Sequence, residues 1–193
     1  TVVCGPYDVE AAAPRVVENF LDLSHFAFVH EGSLGARAEA GIPAHAVQLD
    51  ETGRPQVPEV RVWQPRAMHA TTAGAWVRYA YRVLSPFAAL LEKAPEAGAE
   101  RNAILLAACP LDKTVTRAWF AIRTTDTASD DATVRAYQDR VFGEDRPILE
   151  SQRPKPLPLG RGAEVHSAAD RLSAAYRRYL AAQPTRIVGT SGP

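Results

Sequence analysis

The sequence predicts an α+β fold in which helices flank an antiparallel sheet. Four runs rich in aromatic and β-branched residues follow one another with turn signals, and no helical pattern, between them. One helical pattern precedes these runs and two follow them. A chain of 193 residues is long enough to bury a sizeable core and short for two domains, so residues 1–193 are expected to form one domain.

Composition narrows the function. Hydrophobic residues at 46% and charged residues at 23% match soluble globular proteins, which excludes a disordered or membrane-embedded chain. Lys+Arg and Asp+Glu both number 22, so no net field attracts nucleic acid or an anionic membrane surface. No run approaches the ~18 apolar residues that span a bilayer, and the N-terminus lacks a basic region followed by an apolar core. Cys4 and Cys109 are far apart and show neither CxxC nor CxH spacing, so no disulfide framework, zinc site or iron–sulfur cluster is encoded in these residues. A reduced, cytoplasmic setting is expected. The chain opens on Thr-Val-Val without Met, which suggests a fragment.

In chain order, residues 1–13 read as an extended lead-in broken at Gly5-Pro6. Pro14 suits the first turn of a helix, where its missing N–H does no harm. The following segment carries Val16, Val17, Phe20, Leu21, Leu23, Phe26, Phe28 and Val29 on nearly every side of a helical projection, the mark of a helix buried all round. Gly32 and Gly35 mark its exit. Residues 35–54, rich in Ala, Gly and Pro, read as a loop with a short strand around Ala46–Asp50. The four strand runs are Val57–Trp63, Ala75–Leu84, Arg101–Cys109 and Val115–Thr124, separated by turns at Pro86, Pro95–Gly98 and Asp112-Lys113. Asp130 and Asp131 then open a helix as N-cap and first-turn acids. Its apolar stripe runs Val134, Tyr137, Val141, Ile148 and Leu149, with Asp145 on the same stripe and Glu144 and Asp139 pointing away. Pro147 removes the hydrogen bond to the Gly143 carbonyl and should kink the helix beside Asp145. Residues 153–159 must be extended, and His166–Ala182 reads as a closing helix with Arg171, Arg177 and Arg178 on its surface.

The buried segment holds a chemical anomaly. Asn19, Asp22 and His25 follow one another at i, i+3 spacing, so on a helix they form one polar ridge in oily surroundings. A buried carboxylate needs a hydrogen-bonded partner or a metal. His30 lies five residues beyond His25, so the helix must bend or end between them if both are to reach one point. Two histidines and a distant carboxylate on core-facing positions, His25, His30 and Asp145, suit the facial triad that leaves open positions on iron(II) for O₂ and substrate. Asp22 could accept the other imidazole N–H of His25 and fix its tautomer. The pattern alone leaves a second reading open, in which the histidines are satisfied core residues and Asp22 and Asn19 pair locally.

Asn19-x-x-Asp22-x-x-His25-x-x-x-x-His30, followed by Glu-Gly-Ser-Leu-Gly, closely resembles the mononuclear iron motif of Rieske non-heme iron oxygenases. It is most similar to the branch of aromatic O-demethylases and vanillate- or phenoxybenzoate-type oxygenases. Glu144-Asp145-Arg146-x-Ile148-x-Glu150-x-Gln152 is similar to the late helix that carries the family's carboxylate ligand. The resemblance covers essentially the whole chain as a C-terminal catalytic domain and implies a helix-grip (START-like) fold, an antiparallel sheet wrapping a long C-terminal helix. It implies His25, His30 and Asp145 as ligands of a mononuclear Fe(II), Asp22 as the bridge to a neighbouring subunit's Rieske domain in a homotrimer, and Asn19 in the outer sphere. It further implies a 2Fe-2S Rieske cluster and NAD(P)H acting through a partner domain and a reductase, neither encoded in these residues. The implied activity is O₂-dependent hydroxylation or oxidative O-demethylation of a small aromatic substrate. The rival is a metal-free helix-grip ligand-binding module or an inactive fragment.

The remaining candidates carry less. His45 and His69 read as surface or sheet residues and His166 as an N-terminal helix residue; Trp76, Tyr79 and Trp119 could line a substrate cavity, although aromatic residues on strands are more often core. Cys109, before Pro110, reads as buried and inert.

Overall fold

The computed structural model describes residues 1–66, 74–160 and 162–192. The chain runs β1 (Val2–Val9), α1 (Ala13–Leu21), α2 (Phe26–Val29), β2 (Gln48–Leu49), β3 (Pro55–Gln64), β4 (Ala75–Ser85), β5 (Ala88–Pro95), β6 (Asn102–Pro110), β7 (Thr116–Thr124), α3 (Asp131–Ser151), β8 (Leu157–Pro158), α4 (Arg171–Ala181) and β9 (Thr190–Ser191), with a short 3₁₀ turn at Arg37–Glu39. Seven strands form one antiparallel sheet in the order β1-β7-β6-β5-β4-β3-β2. Strands β2 to β7 are thus a meander, and the first strand closes it by pairing with the last.

The sheet's two faces follow from the period-two alternation of strand side chains. On β4, Val77, Tyr79, Tyr81 and Val83 are buried while Arg78, Arg82 and Leu84 face outward. Val57, Val60 and Val62 of β3, Leu106 of β6, and Ala118, Phe120 and Ile122 of β7 complete the inner face. Onto that face pack α1, against β5, β6 and β7, and α3, against β1 and α1. This is the helix-grip arrangement. The small parallel pair β8-β9 lies outside it.

Several elements depart from expectation for identifiable reasons. The lead-in is a full strand, β1, whose register breaks between Cys4 and Tyr7, at the cis Gly5–Pro6 bond. Strand β5 has no counterpart among the predicted runs. Its Ala-Ala-Leu-Leu-Glu-Lys-Ala composition favours helix, and tertiary context overrides it because β4 and β6 both pair with it. The buried helix is not continuous: α1 stops at Leu21, and Asp22 is extended at φ −85° and ψ 132°. Burial is not all round either, since Phe28 is 56% exposed.

Helix α3 starts as predicted, with the Asp130 carboxylate accepting the Thr133 N–H at 2.8 Å, and continues past Pro147 to Ser151. Ile148 is exposed rather than on the buried stripe, which consists of Val134, Gln138, Phe142, Asp145 and Leu149. The closing helix begins at Arg171, so His166 precedes it in an exposed loop. Arg177, expected on the surface, is buried between Glu18 and Glu164. Cys109 is exposed, not buried, because it faces outward on β6; Cys4 is buried. His45 is buried, with its Nδ1 3.1 Å from the Pro43 carbonyl, and His69 lies outside the described residues.

Candidate metal centre

The end of α1 creates the site. Where the helix stops, the Asp22 carboxylate accepts the backbone N–H groups of Ser24 at 2.8 Å and His25 at 3.3 Å, a turn in which a side chain replaces the missing helical acceptor. The same carboxylate stands 3.0 Å from His25 Nδ1. Asp22 therefore shapes the turn and orients the ring it delivers. The i, i+3 proximity expected of a helical ridge is realised, but through this turn.

His30 caps α2, and its carbonyl accepts the N–H groups of Ser33, Leu34 and Gly35. Gly35 passes so close to α2 that a Cβ there would lie 2.4 Å from the Phe26 carbonyl carbon. Only glycine lets this loop pin His30 from beneath. The His30 ring is buried, and its Nδ1 donates to Glu144 Oε2 at 2.7 Å. Glu144 was expected to point away; its longer side chain instead reaches around α3 to the imidazole.

Asp145, one residue on, completes the group. His25 Nε2 and His30 Nε2 are 3.2 Å apart, and Asp145 Oδ1 lies 3.3 Å from the first and 3.1 Å from the second. Asp145 Oδ1 is buried and aligned with no hydrogen-bond donor. In the neutral tautomers that give each Nδ1–H to its carboxylate, both Nε2 lone pairs and a carboxylate oxygen converge on one point. That arrangement repels itself unless a positive charge sits in the middle. Burial alone would lower the proton affinity of His25, but Asp145 and Asp22 outweigh it and raise its pKa to about 9. The two imidazoles, against the effect of burial, hold the Asp145 carboxyl well below its usual range. Asp22 is likewise lowered despite burial, by His25 and by the Ser24 N–H.

The donor set fits a metal ion. Atoms bound at about 2.1 Å to one ion at near-octahedral angles stand about 3 Å apart, as these three do. Among the described residues, His25, His30 and Asp145 are the group of three whose ligand atoms converge in this way. Both imidazoles carry an outer carboxylate, the usual device for fixing tautomer and ring orientation at a metal.

The triad opens into a cavity between the sheet and α1 and α3, enclosing about 750 Å³ including its mouth. Phe20, Phe26, Tyr79, Phe120 and Leu149 give it apolar walls, and Asn19, Lys93 and Gln138 supply polar groups. Asn19 also borders a second, polar cleft on the far side of α1, shared with Asp22, Arg15, Glu18, Glu164 and Arg177. Of the aromatic residues proposed for the cavity, Tyr79 lines it, whereas Trp76 is partly exposed and packs edge-on against Trp63. Trp119 is not among the lining residues.

Sequence reasoning missed Glu144, Lys93 and the buried charges behind Asp22. Arg177 binds Glu18 through two bonds of 2.6 and 2.7 Å, and Arg15 binds Glu164 at 2.6 Å. A lysine at an inward position of a strand is a readable signal, but only once β5 is recognised.

The family described as the vanillate O-demethylase oxygenase C-terminal domain matches residues 9–184. A probable methylxanthine N7-demethylase, NdmC, of Pseudomonas sp. (strain TJI-51) is 37% identical over 181 residues, 93% of this chain and 64% of its own. The structure of Pseudomonas putida CBB5 NdmA with caffeine matches with a TM-score of 0.77 at 30% identity, covering 93% of this chain and 50% of that one. Dicamba monooxygenase bound to 3,6-dichlorosalicylic acid matches with a TM-score of 0.60 at 17% identity, over 94% of this chain and 59% of that one, a likeness of fold. The chain thus spans between half and two thirds of the length of these relatives.

Proposed function

Because the chain belongs to the family of vanillate O-demethylase oxygenase C-terminal domains, we propose that residues 1–193 form the catalytic unit of a Rieske-type oxygenase that demethylates or hydroxylates an aromatic compound. The observation that carries this is the convergence of His25 Nε2, His30 Nε2 and Asp145 Oδ1, with an outer carboxylate behind each imidazole. Iron(II) held there would supply O₂ activation beside the substrate.

This chain's own residues bind, orient and connect. Phe26, Phe120 and Leu149 hold a planar ring by apolar contact and keep water from the reacting carbon, while Asn19 and Gln138 offer amides to its polar edge. Asp22 and Glu144 hold the protons on the two Nδ1 atoms, keeping both Nε2 lone pairs on the metal side. Asp22 also faces the polar cleft outside, where a Rieske domain of a neighbouring subunit in a homotrimer would deliver electrons taken from NAD(P)H by a reductase. For a methyl group the balance is one substrate, one O₂, two electrons and two protons in, and demethylated substrate, formaldehyde and water out.

The test is turnover with a supplied Rieske donor and reductase on a panel of methoxybenzoates and methylated purines. Formaldehyde or a hydroxylated ring formed in step with substrate loss, and abolished in Asp145→Asn, supports the assignment. A protein that binds these rings but takes up no iron and turns none over with any donor overturns it and favours the metal-free binding module.

A further inference from the structure

Among the described residues that line the cavity, Lys93 is the cationic side chain that the proposed chemistry leaves unused. It sits at an inward position of β5, opposite Tyr79 on one side and Asn102 on the other, and is 5% exposed. Its ammonium carries three donors. Among the described residues its hydrogen-bond partner is Gln64 Oε1 at a long 3.4 Å, its ring contact is Tyr79 at 6.0 Å, and no carboxylate comes within ion-pair distance. Gln64, fully buried, spends its own amide donor on the Leu34 carbonyl and the Tyr79 hydroxyl, so its carbonyl is fixed toward Lys93. The lysine is thus held in place from behind, in the wall of the cavity that His25, His30 and Asp145 also line.

A buried, unpaired ammonium is costly to fold around. Burial lowers the Lys93 pKa from 10.5 to about 8, and no neighbouring acid restores it. A neutral carbonyl would take one hydrogen bond from it and leave the charge uncompensated. An anionic oxygen would take the hydrogen bond and the charge together, in a low-dielectric site where that pairing is strong.

We propose that Lys93, supported by Gln64, is the subsite that receives an anionic oxygen on the aromatic substrate, carried either by a ring carboxylate or by an ionised ring. This rests on the proposed function only in seating the substrate in this cavity. Orientation follows, because an anion fixed at Lys93 directs the rest of the ring into the space shared with His25, His30 and Asp145.

The experiment is equilibrium dialysis of the full chain against two ligand pairs of closely similar shape, one member anionic and one neutral. These are 4-methoxybenzoate with 4-methoxybenzamide for the carboxylate source and, at pH 7, 7-methylurate with the neutral 7-methylxanthine for the ionised ring. Wild type is expected to favour the anion by tenfold or more in one pair, and that pair identifies the source. Lys93→Met is expected to reduce the preference below threefold while leaving the neutral ligand's affinity within threefold, and Lys93→Gln repeats the measurement if the first variant fails to fold. A preference that survives in these variants, or that wild type lacks in both pairs, overturns the proposal. Iron content is read on the same samples. Loss of iron binding with the anion preference intact would count against the oxygenase reading and not against Lys93.

Discussion

Glu144→Gln tests whether the carboxylate behind His30 matters to the proposed metal site. Glu144 Oε2 accepts the His30 Nδ1–H at 2.7 Å, a charge-assisted bond of the kind worth about 1.5–3 kcal/mol when shielded from water. The Glu144 side chain is 32% exposed, so solvent screens part of this, and about 1–2 kcal/mol is the reasonable share. Glutamine keeps the length and can still accept through its carbonyl, so the variant removes the charge and little else. Iron(II) affinity should therefore fall roughly 5- to 30-fold, overlapping the lower part of the roughly 10- to 100-fold range typical of outer-sphere partners. The assay is anaerobic competition for iron(II) against a chelator of known affinity. Arg140 reaches Glu144 from the solvent side at 3.9 Å, and Arg140→Gln serves as control, with an expected change below twofold. An affinity for Glu144→Gln within twofold of wild type would refute the reasoning, as would equal losses in both variants.

Two further outcomes follow from buried charge. Arg177→Ala strands Glu18 and part of Glu164 behind α1; because Arg15 still contacts both carboxylates, the loss should sit at the lower end of the buried-pair range, about 3 kcal/mol by urea denaturation. A loss below about 1 kcal/mol would mean the network is solvated in practice. For Lys93, a folded pKa of about 8 against an ordinary 10.5 means that the unfolded chain binds more protons between those values. Its destabilising effect is therefore full below pH 8 and fades as pH rises to 10.5. Lys93→Met should be more stable than wild type by about 3 kcal/mol at neutral pH, with the gap closing across that window; a gap that is absent or flat with pH contradicts a buried, unpaired ammonium.

Much of the sheet was legible because alternation is a local signal. Val77, Tyr79, Tyr81 and Val83 announce an inner face within one run of residues. Strand β5 was hidden because Ala, Leu, Glu and Lys favour helix, and only its neighbours on both sides make it extended. At the site, spacing correctly brought Asp22 beside His25, yet suggested the wrong backbone, since a helix and a side-chain-capped turn both place residues three apart in contact. Asp145 was legible from its place on the apolar stripe of α3. Glu144 was not, because a helical projection gives the direction of a Cβ and not the reach of two further carbons. Arg177 illustrates a longer-range limit: its partner Glu18 lies 159 residues away, and no spacing rule connects them.

The central claim is that His25, His30 and Asp145 hold a metal together. Iron(II) uptake by anaerobically reconstituted wild type, His25→Ala, His30→Ala and Asp145→Asn measures this most directly. Each single change removes one of three converging donors, so the account predicts stoichiometric iron in wild type and negligible iron in all three variants, with folding of each confirmed by its cooperative urea transition. Equal iron contents in wild type and variants, whether high or near zero, would contradict it.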